Sequence, residues 1–223
     1  MNSLSAIEIR SVTFGYDSGE LLFDRYSDNF AIGKIHILTG ENGSGKSTFL
    51  KLSNGLLQPR EGTIALSGSP LPGLGTIGIA NRISVSFQNP SHQLCMPTVE
   101  KELGLGLTLT HADTIEARIE KALAISGLDH LRSLPPYDLS FAKRKMVSLA
   151  ITLASTAPII AWDEPTAGLS QTELRLLPRI LDTVREDNRT LLVVSHDIRW
   201  WLQYGDTITH FVRGKNPVRK GIT

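Results

Sequence analysis

Apolar residues along this chain change their spacing several times. Ile7-Glu8-Ile9-Arg10-Ser11-Val12-Thr13-Phe14 begins with alternation, the mark of a strand with one buried face. Gly15 and Tyr16 follow, and Asp17-Ser18-Gly19 reads as a turn. A second strand is expected around residues 21–23. Lys34-Ile35-His36-Ile37-Leu38-Thr39 is a short apolar strand that runs straight into glycines. Residues 46–57 then take helical spacing, with Gly55 weakening the last turn. Residues 63–66 and 83–87 are further strand candidates.

The middle of the chain is helical. Residues 98–109 and 113–126 predict helices, the second carrying Ile115, Ile119, Ala122 and Leu123 at helical spacing. Gly127 can stop it, and Pro135-Pro136 end the segment. Strict alternation follows: helix 140–154, strand 159–162, helix 171–185, strand 190–194. Helical runs between apolar strands imply a parallel α/β core, into which residues 97–139 are inserted as a helical lobe. Residues 207–212 form a last strand candidate, and the basic tail 215–220 reads as a solvated end.

Composition narrows the class. The 223 residues suit one domain, and 41% apolar content argues against disorder. Lys plus Arg number 23 against 22 Asp plus Glu, which excludes a chain that is basic throughout for nucleic acid. A single cysteine, Cys95, excludes an internal disulfide and a cysteine-based zinc site. The opening Met1-Asn2-Ser3-Leu4-Ser5 lacks the features of a signal peptide, and no stretch of about 18 apolar residues occurs. A soluble cytoplasmic protein is expected, whose membrane role would need a partner.

Gly40-Glu41-Asn42-Gly43-Ser44-Gly45-Lys46-Ser47-Thr48 satisfies G-x-x-x-x-G-K-[ST]. Glycines let successive backbone N–H groups face one concavity at a helix N-terminus, where they bind phosphate oxygens. Lys46 then reaches the β- and γ-phosphates, and the Ser47 hydroxyl coordinates Mg²⁺. The apolar strand before and the helical pattern after supply the required context, so nucleotide binding is expected.

Pro158-Ile159-Ile160-Ala161-Trp162-Asp163-Glu164 is a buried strand ending in two acids. Ligands lie beyond the carboxyl ends of parallel strands, which puts Asp163 beside Ser47 to hold Mg²⁺. Glu164 points elsewhere and can polarise water as a general base. A solvated turn capped by Asp163 is the plainer alternative. One strand later, Val193-Val194-Ser195-His196-Asp197 puts His196 at an equivalent strand end, within reach of a γ-phosphate or its attacking water. His36, inside the strand feeding the glycine loop, reads as packing or edge-exposed; His92, His111, His130 and His210 have no such placement.

Together these residues resemble the ATP-binding cassette (ABC) ATPases over nearly the whole chain. The resemblance implies an α/β fold: a P-loop NTPase core with an N-terminal β subdomain and an inserted helical lobe, residues 1–223 forming one nucleotide-binding domain. It implies ATP and Mg²⁺ as ligands, Tyr16 as the aromatic that stacks on adenine, and Gln88 as the glutamine that contacts Mg²⁺ and links the site to a membrane partner. Tyr16 also reads as an ordinary strand-end residue, and adenine is not separated from guanine by the residues themselves. Phe87-Gln88-Asn89-Pro90-Ser91-His92-Gln93-Leu94, followed by Pro97-Thr98-Val99-Glu100, resembles the ATPases of energy-coupling factor (ECF) importers of vitamins and transition-metal ions. That narrower likeness implies a transmembrane coupling protein, a membrane protein that captures substrate, a second ATPase chain, no nucleic acid, and a place on the cytoplasmic face of the membrane. The short length resembles the subunits of biotin and of cobalt or nickel systems. The 88–93 loop and the lobe are then the expected partner surface, with Leu94, Met96 and Val99 as anchors or as lobe core.

The chain also departs from the family. Leu139-Ser140-Phe141-Ala142-Lys143-Arg144-Lys145 stands where Leu-Ser-Gly-Gly-Gln would bind the opposite subunit's γ-phosphate. Ser140 survives as a helix cap and phosphate contact, but both glycines are lost and Phe141 is bulky. Three readings stand: a modified site whose three cations supply charge near the phosphate, a degenerate half-site that needs an intact partner, or a solvated basic helix start. Ser170 replaces an aspartate, although Ser170-Gln171-Thr172-Glu173 still forms a capping box. Pro178 suggests a kink or a shorter helix. The function implied is ATP hydrolysis driving ECF-type import; the alternatives are a nucleotide-binding half of a mixed ATPase pair and a soluble ABC protein outside transport.

Overall fold

Irregular alternation in the first strand has a structural cause. In the computed structural model, which describes residues 5–16, 19–105, 107 and 114–222, β1 (Ser5–Phe14) buries Ile7 and Ile9 and then, out of phase, Val12 and Phe14. Its register with β2 (Phe23–Ala31) shifts between Ile9 and Val12, where Ser11 takes φ 49°. The bulge restores an inward face after the extra residue. β1 also pairs antiparallel with β4 (Glu61–Leu66), and β5 (Ser69–Pro70) completes a four-stranded sheet in the order β2-β1-β4-β5.

The second sheet is built on β3 (Ile35–Gly40), β6 (Ile83–Ser86), β7 (Ile159–Asp163), β8 (Thr190–Val194), β9 (Thr207–Val212) and β10 (Lys215–Gly221), in the order β10-β9-β3-β8-β7-β6. All neighbours are parallel except the β9–β10 hairpin at one edge. Every residue of β7 and β8 is buried, as a parallel sheet covered on both faces requires. Period two divides them: Ile159, Ala161, Leu192 and Val194 join Phe23, Phe30, Phe49 and Phe211 in a core shared with the antiparallel sheet. Ile160, Trp162, Leu191 and Val193 face a second core made with the helices.

That second core contains Val99 and Leu103 of α3 (Val99–Leu105), Ile119 and Leu123 of α4 (Ile115–Ser126), Met146 and Leu149 of α5 (Phe141–Ala154) and Ile180 of α7 (Leu177–Glu186). Leu94 and Val99 are therefore core residues rather than free anchors. α1 (Lys46–Ser53) stops short of the expected residue 57, at Asn54 and a left-handed Gly55 of φ 75°. Between β5 and β6 lies α2 (Gly75–Ala80), which shows no apolar pattern and buries none of its residues. The helix expected over 171–185 is two, α6 (Gln171–Leu174) and α7, with Pro178 in the first turn of the latter, where its missing N–H costs nothing. A last short helix, α8 (Ile198–Trp201), follows the His196 loop.

Two strands differ from expectation. β2 is nine residues long, and the tail read as solvated is β10, tied to β2 by an Arg219–Asp28 ion pair of 2.7 Å and by Arg219 5.0 Å over the Phe30 ring. His36 is 1% exposed, its ring bonded to the Thr207 hydroxyl and the Ala31 carbonyl. The expected start at Met1–Leu4, the turn residues Asp17 and Ser18, His111, and the helix ends at Leu109 and Asp113 lie outside the described residues. Among the described residues, no helix is long and apolar enough to cross a membrane.

Candidate active site

The turn from β3 into α1 is forced open by its glycines. Gly40 takes φ 147°, and a Cβ there would lie 2.2 Å from the Phe211 carbonyl oxygen. Gly45, at φ 104°, sets the first residue of α1 beneath the turn. Lys46 arches back so that its Nζ donates to the Gly40 and Glu41 carbonyls at 2.8 and 2.9 Å. Burial lowers its pKa, and Glu164 and Asp163 oppose that shift. Asn42, Gly43, Gly45, Lys46, Ser47 and Thr48 line a cavity of about 400 Å³, whose other walls include Asp163, Glu164, His196, Gln88 and Tyr16. Ser44 is buried, and its hydroxyl has no hydrogen-bond partner among the described residues.

β7 delivers the two acids to the cavity floor. Asp163 lines the cavity together with Ser47; burial raises its carboxyl above the usual range, and the nearby Ser47 hydroxyl opposes that shift. A hydroxyl and a carboxylate side by side are hard donors that fit a small dication whose remaining ligands are phosphate and water. Among the described residues there is no cluster of three or more acidic, His or Cys side chains that would cage a metal by itself. Glu164 is turned away by a left-handed backbone of φ 50°, a strained conformation for a non-glycine residue. Its N–H donates to the Val194 carbonyl at 2.9 Å, which pins the turn to the end of β8. Burial raises the Glu164 pKa, against the pull of the His196 backbone N–H, which donates to Oε2 at 3.3 Å. The other oxygen, Oε1, is buried without a hydrogen bond; the His196 ring Nε2 stands 3.4 Å from it. That arrangement leaves a desolvated carboxylate oxygen beside an imidazole, able to take a proton from water.

Tyr16 sits at the far rim, edge-on to Phe14 at 5.3 Å, with its hydroxyl 3.2 Å from Thr48 Oγ1. The residue is 47% exposed, so its ring can cover a flat ligand. Gln88 also lines the cavity and is exposed. Gly40, Glu41 and Ser44 shape the turn without lining the cavity. Glu20 and Arg213 do line it, joined by an ion pair of 2.6 Å, and sequence reasoning missed both. The adjacency of β9 to β3 would have pointed to Arg213.

Ser140 is not among the cavity residues. It caps α5, its hydroxyl accepting from the Lys143 N–H at 3.3 Å. Two of the three cations after it are engaged within the chain, and the third, Arg144, has its Nε buried without a hydrogen-bond partner among the described residues. Lys143 pairs with Glu173 at 3.1 Å, and Lys145 is fully buried. The Lys145 ammonium donates to the Phe87, Gln88 and Asp163 carbonyls at 3.0, 3.1 and 2.8 Å. Burial pushes its pKa down to about 8, opposed by Asp163 and Glu164. The Phe141 ring lies over Gly168, where a Cβ would approach it to 2.6 Å. Ser170 and Glu173 form the expected capping box.

A family model described as ABC transporter matches residues 23–167. The energy-coupling factor transporter ATP-binding protein EcfA1 of Thermotoga maritima is 34% identical over 211 residues, covering 93% of this chain and 79% of its own. The nickel import ATP-binding protein NikO of Rhodobacter capsulatus is 34% identical over 221 residues, covering 94% and 87%. Among solved structures, cbiO1 of Clostridium perfringens, described as part of the ABC transporter complex cbiONQ, is 26% identical with TM-score 0.82, covering 98% of this chain and 88% of that one. An ATP-binding cassette solved as a dimer with ADP and Pi is 24% identical with TM-score 0.86, a likeness of fold.

Proposed function

Because the chain belongs to the ABC transporter family and is an ATPase of that family, we propose that it powers import of a vitamin or transition-metal ion through an ECF-type membrane complex, as a peripheral subunit on the cytoplasmic face. The observation that carries this reading is the buried Glu164 carboxylate with the exposed His196 ring 3.4 Å from it, in one cavity with Lys46, Ser47 and Asp163. Residues 1–223 act as one nucleotide-binding domain, with 97–139 as its helical lobe.

In this reading the N–H groups of the 40–48 turn and the Lys46 ammonium bind the phosphates of ATP. Lys46 has only main-chain carbonyls to leave when the γ-phosphate arrives. Ser47 and Asp163, with Gln88, would hold Mg²⁺, which would supply neutralisation of phosphate charge. Glu164 Oε1 takes the proton of the attacking water, and His196 fixes that water against the γ-phosphate. Tyr16 covers the base. An apolar groove of about 390 Å³ adjoins the Gln88 loop, lined among others by Leu56, Phe87, Gln93, Leu103 and Leu107; it fits a helix of the transmembrane coupling protein. Leu56 is 61% exposed there without such a partner.

The name of one relative, a nickel import ATP-binding protein, favours nickel as cargo; biotin and cobalt are the alternatives. A second ATPase chain completes the unit. Its sequence is expected to carry an intact Leu-Ser-Gly-Gly-Gln, because Ser140, Phe141 and Lys143 here are engaged with their own chain. Affinity purification from detergent-solubilised membranes tests this: polytopic proteins and a second ATPase co-purify, and the capture protein among them is assayed for biotin, cobalt and nickel. Recovery of soluble partners alone overturns the transport reading. In the purified complex, Glu164→Gln retains ATP binding and loses turnover; hydrolysis at the wild-type rate overturns the role of Glu164.

A further inference from the structure

A lysine with no exposed surface and only carbonyl oxygens as hydrogen-bond partners is an expensive way to fill a core. Met146, Val147, Leu149 and Ala150 fill the adjoining positions of α5 with apolar side chains, so a Met or Leu at 145 would suit packing alone. What the ammonium gains is position. Two of its acceptors, Phe87 and Gln88, begin the loop after β6; the third, Asp163, ends β7. Ser148 lies three residues on and so on the same face of α5. Its hydroxyl donates to Gln93 Oε1 at 2.9 Å, while Gln93 Nε2 donates to the Val85 carbonyl at 3.0 Å. One helix face thus grips both ends of the Gln88–Gln93 loop.

The geometry points to Lys145 as a positioning residue: its ammonium locks the backbone of Gln88 to that of Asp163, so that displacement of the Gln88 loop at the partner surface is transmitted to the carboxylates that act on ATP. This rests on the reading of Gln88, Asp163 and Glu164 given above. Burial of the charge is the cost of that lock, and the lowered pKa of Lys145 records it.

The test uses the full chain in its purified complex, with Lys145→Met, Lys145→Gln and Glu164→Gln made in parallel. Lys145→Met keeps the volume and removes the donors; Lys145→Gln keeps two donors without charge. ATP affinity without Mg²⁺, measured by calorimetry, is expected within about threefold of wild type for both Lys145 variants, because the 40–48 turn is untouched. Turnover falls about 100-fold in Lys145→Met and less in Lys145→Gln, the scale of a misplaced reacting group. Amide hydrogen exchange quickens at residues 87–93 and at 163–164 together. Turnover within twofold of wild type in Lys145→Met overturns the proposal, as does a loss of ATP affinity equal to the loss of turnover, or failure of both Lys145 variants to melt cooperatively. If Lys145→Met is active while Glu164→Gln is dead, this inference falls and the functional reading stands; if Glu164→Gln turns over normally, the functional reading falls first.

Discussion

Two regions of this molecule treat their polar groups in opposite ways. Around the 40–48 turn, groups are held in reserve: among the described residues Ser44 Oγ is buried without a hydrogen-bond partner, Glu164 Oε1 has only the His196 ring 3.4 Å away, and Lys46 rests on main-chain carbonyls. At the start of α5, most groups are committed within the chain: Ser140 caps its own helix, Lys143 is paired with Glu173, Phe141 covers Gly168, and Lys145 is bound on three sides, while Arg144 Nε alone of these is buried without a hydrogen-bond partner among the described residues. Buried polar atoms without a hydrogen bond are costly, and at the cavity Glu164 Oε1 is one that a bound water could satisfy. Committed groups stabilise the fold that carries the cavity. A nucleotide has an obvious seat in the first region and must displace existing contacts in the second.

The largest expected effect separates the two directly. Asp163→Asn keeps the side chain's shape but removes its charge from the cavity, and turnover should fall by about 10²–10⁴. Lys143→Ala, in the committed region, should change turnover by less than about fivefold and lower stability modestly through the lost Glu173 partner. Equal losses in steady-state assays would erase the distinction.

A second test breaks the packing side of the comparison. Gly168 has φ 77° and lies under the Phe141 ring, so Gly168→Ala combines backbone strain with a clash. The cost should be about 2 kcal/mol in denaturant unfolding. In a Phe141→Ala background only the backbone part, about 1 kcal/mol, should remain. An unchanged cost would mean that Phe141 does not hold that loop.

How much of this was legible in the sequence follows the same divide. The glycine turn, the paired acids after an apolar strand and His196 one strand later are local patterns, and the cavity gathers all of them. The parallel strands were legible because burial on both faces makes continuous apolar runs. β2 was not, because its pairing with β1 shifts register three times and its buried residues, Phe23, Tyr26 and Phe30, follow no single period. β10 reads as a charged tail with a proline because those are the devices of an edge strand. Lys145 was misread for a different reason. Three cations in a row look like a surface, and only the turn of the helix decides which one points inward.

pH sharpens the reserved side. Burial raises the folded-state pKa of Glu164 above its unfolded value, so the carboxylate destabilises the fold at pH values above that raised pKa, and the penalty is relieved as pH falls through it. Glu164→Gln should therefore melt higher than wild type at pH 7 without nucleotide, and the difference should shrink on acidification. Wild-type turnover should decline over the same descending range, as the base is protonated. A Glu164→Gln protein that melts lower at pH 7 would place this carboxylate among the stabilising groups.

The smallest effect belongs to the committed side. Ser170 accepts the Thr172 N–H at 3.2 Å, and its own N–H donates to Glu173 Oε2 at 3.1 Å. Ser170→Ala removes the side-chain half of this capping box and leaves the backbone half, which should cost about 1 kcal/mol. Because Glu173 also holds Lys143, the loss should be partly shared: in a Lys143→Ala background Ser170→Ala should cost measurably less. Strict additivity in that cycle would show that the α5 start and the α6 cap are separate structures, and the committed region would then be two independent contacts rather than one clasp.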